Sequence, residues 1–316
     1  MISLKLLDWI DPSKLDYHTL SENRNAIDYL KEHPEKIYWK KLSINPNAVE
    51  MLKQNPHKID SFFVTFNPNI FDIFDDEEEL HSRSLSHNRN AINYLRKYPD
   101  RIDYLYLSAN PNAISILKEN IDCINWGQLS GNPNAIQILK ENPEKINWEC
   151  LSYNPNAIEL LTENPDLIDW YYLSSNRGAI KLLKENLDLI DWYQLSANTN
   201  AIPILKENLD LIDWYQLSAN PNAIQILKEN INQINWNQLS TNPNAMEILK
   251  ENQHEINWEE FSKNPSIFTY DYEKMRNFKL ELNEEIIAKA LHPKRIFRLI
   301  EEYGEEVVYS IYFDEC

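Results

Sequence analysis

A chain of 316 residues carrying a formal charge of −18 and only 4 glycines excludes several classes at once. Lys and Arg hold a phosphate backbone by displacing its counterions, so an acidic chain is not expected to bind nucleic acid directly, and glycine this far below the roughly 7% of average proteins argues against hairpin-rich folds. No apolar run approaches the roughly 18 residues that cross a bilayer, and Asp8 interrupts MISLKLLDWIDPSKLD before a signal-peptide core develops, so a soluble, intracellular chain without a membrane partner is expected.

Residues 1–19 carry a partial unit in Leu15-Asp16-Tyr17. From there the pattern L-S-x-N-P-N-A-I-x-x-L-K-E-N-P-x-x-I-N/D-W-x-x starts at Leu20, Leu42, Val64, Leu85, Leu107, Leu129, Leu151, Leu173, Leu195, Leu217, Leu239 and Phe261. Every step is 22 residues except the 21 from Val64 to Leu85, where one residue is missing between Asn69 and Ile70. With that deletion Ile70, Ile73 and Leu80 return to register. Asn264-Pro265-Ser266-Ile267 shortens the last unit in the same way, so twelve starts give eleven complete or nearly complete repeats. Such an array extends without linkers, which predicts a single solenoid domain over 1–316.

The first Asn of the pattern is present in all twelve units, and the residue two places later is Asn in ten, Gly178 in one and Ser266 in one. All three types serve as helix N-caps, which predicts a helix start at that second position. The Pro between them favours extended backbone before it, and Pro203 then falls in a first turn, where no intrahelical donor is lost. A-I-x-x-L-K-E makes about two turns, closed by an Asn expected in the left-handed conformation and stopped by Pro, as in Asn142-Pro143 and Asn164-Pro165. The Asn or Asp before Trp, as in Asp169-Trp170, caps a second piece of about one α or 3-10 turn. Helices this short do not persist alone, so stacking must bury a ladder of Ile136, Ile158, Ile180, Leu139, Leu161, Leu183 and their equivalents.

After the repeats, LNEEIIAKALHPKRIFRLIEEYG reads as a helix capped by Asn283, a break at His292-Pro293 and a second amphipathic helix closed by Gly304. The expected fold is an all-α solenoid of about eleven 22-residue repeats, each a short α-helix plus a shorter α or 3-10 helix. Residues 1–19 and 269–316 serve as helical end caps on repeats at 20–268, the C-terminal segment covering the final repeat. A leucine-rich-repeat-like α/β horseshoe competes, because 22 residues lies within its period range.

Eight of the nine Trp residues share one slot, and this column, like the Asn column, is better explained by packing and hydrogen bonding between layers than by ligand recognition. Lys-Glu pairs such as Lys118-Glu119 and Lys228-Glu229 read as a solvated helix edge. Slots that vary are free of the stacking requirement. The two residues after Trp place Gln128, Tyr171, Tyr172, Tyr193, Gln194, Tyr215, Gln216 and Gln238 in one stripe. Tyr is a rigid anchor with a polar tip, so this stripe is the candidate surface for a protein partner. The His residues are scattered, none in a zinc-type pair around a Glu, and no glycine-rich phosphate loop occurs. Cys123, Cys150 and Cys316 lie at unrelated points of the repeat and read as reduced thiols. No catalytic residue, metal or cofactor is therefore expected.

The stretch LSxNPNAIxxLKENPxxINWxxLSxNPNAI, with NPSIFTYDYEKM and LNEEIIAKALHPKRIFRLIEEYG after it, resembles the repeat proteins abundant in large DNA viruses of amoebae. The deletion after Asn69 and the Arg177-Gly178 variant depart from that pattern. The resemblance implies a viral source and a place in the infected cell, host cytoplasm or nucleus, and supplies no activity. N-P-x-x-I-x-x-L is also similar to the leucine-rich repeat variant, whose units alternate 3-10 and α-helices. The function expected is a non-enzymatic protein-interaction scaffold acting on a host protein, with a structural component packaged in the virion as the alternative and self-association through an uncovered end of the array left open.

Overall fold

The computed structural model describes residues 3–74, 83–305 and 307–308; the expectations for Leu80, His81 and Cys316 lie outside them. The chain divides into two compact units, Leu6–Phe268 and a second formed by Met1–Lys5 with Thr269–Cys316. The first is all helical repeats, as expected. Strands among the described residues are limited to the pair Leu4–Leu6 and Phe268–Tyr270, so the horseshoe alternative, which needs a strand in every repeat, is not adopted.

Each full repeat contains three pieces. In the repeat that starts at Leu129 they are the six-residue helix Ile136–Glu141, the three-residue 3-10 turn Pro143–Lys145, and the six-residue helix Trp148–Tyr153 that runs into the next repeat. The Trp-led piece is thus as long as the Ile-led one. Its cap is the expected one: Asn147 Oδ1 accepts from Cys150 N at 2.8 Å, and Asp169 from Tyr172 N at 3.1 Å. The cap's own N–H is held across the repeat boundary, since Asp169 N donates to Ser152 Oγ at 3.0 Å while that hydroxyl donates to Trp148 O at 2.7 Å.

Two local expectations are corrected. The second Asn is not an N-cap: Ala157 occupies the cap with no side-chain bond, and Asn156 Nδ2 instead donates to Pro133 O of the previous repeat at 2.9 Å. The turn is closed by the first Asn, whose Oδ1 accepts from the N–H two residues on, as Asn154 does from Asn156 at 3.0 Å. The closing Asn is not left-handed either. Asn142 has φ −136° and ψ 59°, and its side chain donates to Ile138 O at 2.9 Å, satisfying a carbonyl the helix end would leave open. Pro203 does sit in a first turn, at the second residue of Ile202–Glu207.

Inside each repeat the fully buried apolar positions are the Ala and the two Leu slots, for example Ala157, Leu161 and Leu173, beside the equally buried Ser and first-Asn slots. Ile136, Ile158 and Ile180 are only half-buried. The helix begins after Ala, which turns that face inward and moves the Ile slot to the rim.

The column of first Asn residues explains how repeats join. Each of the twelve donates through Nδ2 to two carbonyls of the preceding unit, as Asn154 does to Ser130 O and Asn132 O, both at 2.9 Å. The pattern does not end at either terminus of the array. Asn23, in the first unit, donates to Ser262 O at 3.0 Å and to Asn264 O at 2.9 Å. Asp16 N donates to Ser262 Oγ at 2.9 Å and Asn25 Nδ2 to Pro265 O at 2.9 Å. The two bonds of the first Asn are those that join every other neighbouring pair, and the other two recur at most of them, so the unit Leu6–Phe268 is a closed ring of twelve repeats. The expected end caps are corrected accordingly: residues 6–19 complete the first repeat, and the first repeat covers the stacking face of the last. The ladder has no uncovered end through which copies could add.

In the second unit the helix Tyr272–Ala290 is capped by Asp271 rather than Asn283, because Asp271 Oδ1 accepts from Lys274 N at 2.9 Å. The break at His292 and the helix Pro293–Tyr303 closed by Gly304 at φ 88° are as expected. No described helix is long and apolar enough to cross a membrane.

Candidate functional site

Neighbouring Trp-led helices pack side by side along their length, whereas the Ile-led helices of adjacent repeats are spread apart, except beside the deletion at Asn69. In a closed ring the closer spacing belongs to the inner circumference. The Trp-led helices therefore form the inner wall, with Leu and Ser of W-x-x-L-S-x buried behind it and the three variable slots facing the lumen. Tyr153, Tyr171, Tyr193 and Tyr215 are 45–56% exposed there, while Leu151 and Leu173 behind them are fully buried. The Trp rings are half-buried.

All eight stripe residues lie on this wall, but they are not equivalent. Gln128, Tyr171, Tyr172 and Gln194 line one cleft of about 470 Å³ together with Ala109, Gly127, Gly131, Cys150, Tyr153 and Ser175. Tyr215 and Gln238 are brought together by a direct bond, Gln238 Nε2 donating to the Tyr215 hydroxyl at 2.6 Å. Tyr193 is exposed and Gln216 half-buried between the two groups.

The cleft exists because side chains are missing. Gly127 and Gly131 are two of the chain's four glycines and flank one turn of the helix Trp126–Ser130. Neither uses left-handed backbone, since Gly304 is the glycine with positive φ. An added Cβ would meet nothing closer than 3.4 Å at Gly127 and 3.7 Å at Gly131. Glycine within a helix, as at Gly127, costs about 0.5–1 kcal/mol relative to Ala, and Gly131 at the C-cap has ordinary right-handed backbone, so what these two residues provide is space in the wall.

The rim of that space is aromatic and polar. The Tyr171 and Tyr172 rings stand perpendicular, 5.1 Å apart at 88°. The nearby Glu149 carboxylate holds the Tyr172 phenol above its ordinary pKa. Burial, then the Glu149 charge, pushes the Cys150 thiol up as well, so it stays protonated at neutral pH. From Tyr104–Ala109 to Trp236–Thr241 the Trp-led helices contain one charged residue, Glu149. Carboxylates also stand beside it at the N-caps Asp169, Asp191 and Asp213, each accepting from a backbone N–H of its helix. Among the described residues no group of three or more His, Cys, Asp or Glu is placed to hold a metal ion, and Cys123 and Cys150 are free thiols.

The sequence reading missed Gly131, Tyr153 and Ser175, which occupy the variable slot between Ser and Asn. That slot lies four residues after the first position of the stripe, as Tyr153 does after Glu149. Residues four apart share a helix face, so the signal was present once the Trp-led piece is taken as a full six-residue helix rather than one turn. No family model matches the chain, and neither a curated protein nor a solved structure does.

Proposed function

We propose that the protein is a non-enzymatic scaffold whose ring captures a protein partner on its inner wall. The observation that carries this reading is the row of exposed tyrosines, Tyr153, Tyr171, Tyr193 and Tyr215, on consecutive repeats, in helices whose one charged residue past the cap is Glu149. Tyr loses little side-chain freedom on binding and offers both apolar area and a hydroxyl, and burying such residues at the centre of an interface typically supplies much of its energy. None of the four is needed for stacking, which rests on buried Asn, Ser and Leu. The resemblance to repeat proteins of amoebal viruses supports an infected cell as the setting and a host protein as the partner.

The test compares wild type with the variant Y171A/Y193A/Y215A, each immobilised and exposed to infected-cell extract. A partner retained by wild type, lost from the variant and still retained by the outer-surface control Lys206→Ala supports the reading, provided all three unfold at the same temperature. Equal retention by the triple variant contradicts it.

A further inference from the structure

We propose that the cleft at Gly127 and Gly131 receives an arginine side chain projected by the partner; this rests on the inner wall being the binding surface. The cleft offers what a guanidinium group requires. Its planar cation stacks on aromatic faces and donates through a rigid fork of five N–H groups, and the perpendicular Tyr171 and Tyr172 rings, with Tyr153 also lining the cleft, present faces in more than one direction. Gln128 and Gln194 line the same space with side-chain carbonyl oxygens able to accept.

The charge is placed to match. Glu149, the one charged residue within the wall helices of this arc, directly precedes the cleft-lining Cys150 and acts on the cleft-lining Tyr172, and its carboxylate offers lone pairs to further donors. No Lys or Arg lines the cleft to compete. The net charge of −18 adds long-range attraction for a basic segment. A lysine ammonium, more strongly hydrated and without a flat face, gains less here, and an uncharged side chain gains nothing from the aromatic quadrupoles.

The probe is a short Gly/Ser-flanked peptide carrying one arginine, titrated into the full chain and followed by NMR shifts of cleft amides. Matched peptides carry citrulline, lysine or trimethyllysine at the same place. Cation–π contacts change affinity by roughly 2- to 30-fold each, so the arginine peptide should bind about ten-fold tighter than its neutral citrulline isostere and tighter than both other peptides. Gly131→Phe, which places in the cleft the residue that Phe66 supplies at this slot in another repeat, should abolish the difference, and Tyr171→Ala, at an exposed site, should do so without affecting folding. Lys206→Ala, on the outer surface, should leave arginine binding unchanged. Citrulline binding as tightly as arginine, a preference for trimethyllysine, or indifference to Tyr171→Ala would each overturn the proposal. If Tyr215→Ala still abolished capture of the protein partner, the inner-wall reading would survive that failure.

Discussion

Asn154 shows how much of this molecule is carried by single side chains. From a buried side chain its amide donates to Ser130 O and Asn132 O, both buried, and its carbonyl accepts from Asn156 N in a part-buried bond. Truncation leaves Ser130 O and Asn156 N unpaired, while Asn132 O keeps its bond from Ala135 N, and each unsatisfied buried group costs about 1–3 kcal/mol. Asn154→Ala should therefore lower unfolding stability by about 2 kcal/mol or more in a urea titration, whereas Asn156→Ala, which removes one exposed bond to Pro133 O, should cost about 1 kcal/mol. Equal costs would contradict the assignment of the two columns. Gly178 gives a second residue-scale expectation: a Cβ there would lie 2.5 Å from Pro155 O, a backbone atom. Gly178→Ala should destabilise by about 1–3 kcal/mol, while Gly131→Ala, with no contact under 3.7 Å, should be neutral or stabilising.

At the scale of elements, the Trp-led helix decides both what was legible in the sequence and what was not. Period, all-α class, the Asp169-type cap and the break at His292-Pro293 follow from local chemistry and were readable. The Asn154 and Asn156 roles were not, because cap preference belongs to a residue type while the partner of Asn156 lies in the previous repeat, 23 positions away. The variable slots from Gln128 to Gln238 were legible as one stripe, yet the cleft was not, because reading the Trp-led piece as a single turn hid the neighbour four residues on. One chemical consequence sits on this element. Glu149 disfavours the Cys150 thiolate, and alkylation proceeds through the thiolate. Glu149→Gln should shift the pH profile of Cys150 alkylation to lower pH; an unshifted profile would mean that burial alone sets the thiol.

At the scale of the molecule the main consequence is closure. An open array leaves its terminal stacking faces exposed, and a sequence with a fixed period carries no statement of curvature, so the number of repeats at which the ends meet could not be read from it. Closure makes the first and last repeats energetically ordinary. Asn23 bonds to Ser262 and Asn264 as Asn154 does to Ser130 and Asn132, so Asn23→Ala should destabilise within about 0.5 kcal/mol of Asn154→Ala, the additivity expected of equivalent, well-separated sites. A terminal Asn of an open solenoid, lacking a preceding repeat, would cost far less to remove.

Closure also defines the inner wall on which the proposed binding depends, and a distance measurement tests it most directly. His18 and Glu259 hold the same exposed slot in the first and last repeats, as Tyr193 and Tyr215 do in adjacent ones. With native cysteines replaced by Ser, nitroxide labels at positions 18 and 259 should show dipolar broadening as strong as labels at 193 and 215. Spectra from the first pair without broadening, equal to the sum of the singly labelled chains, would show the ring open and contradict the account.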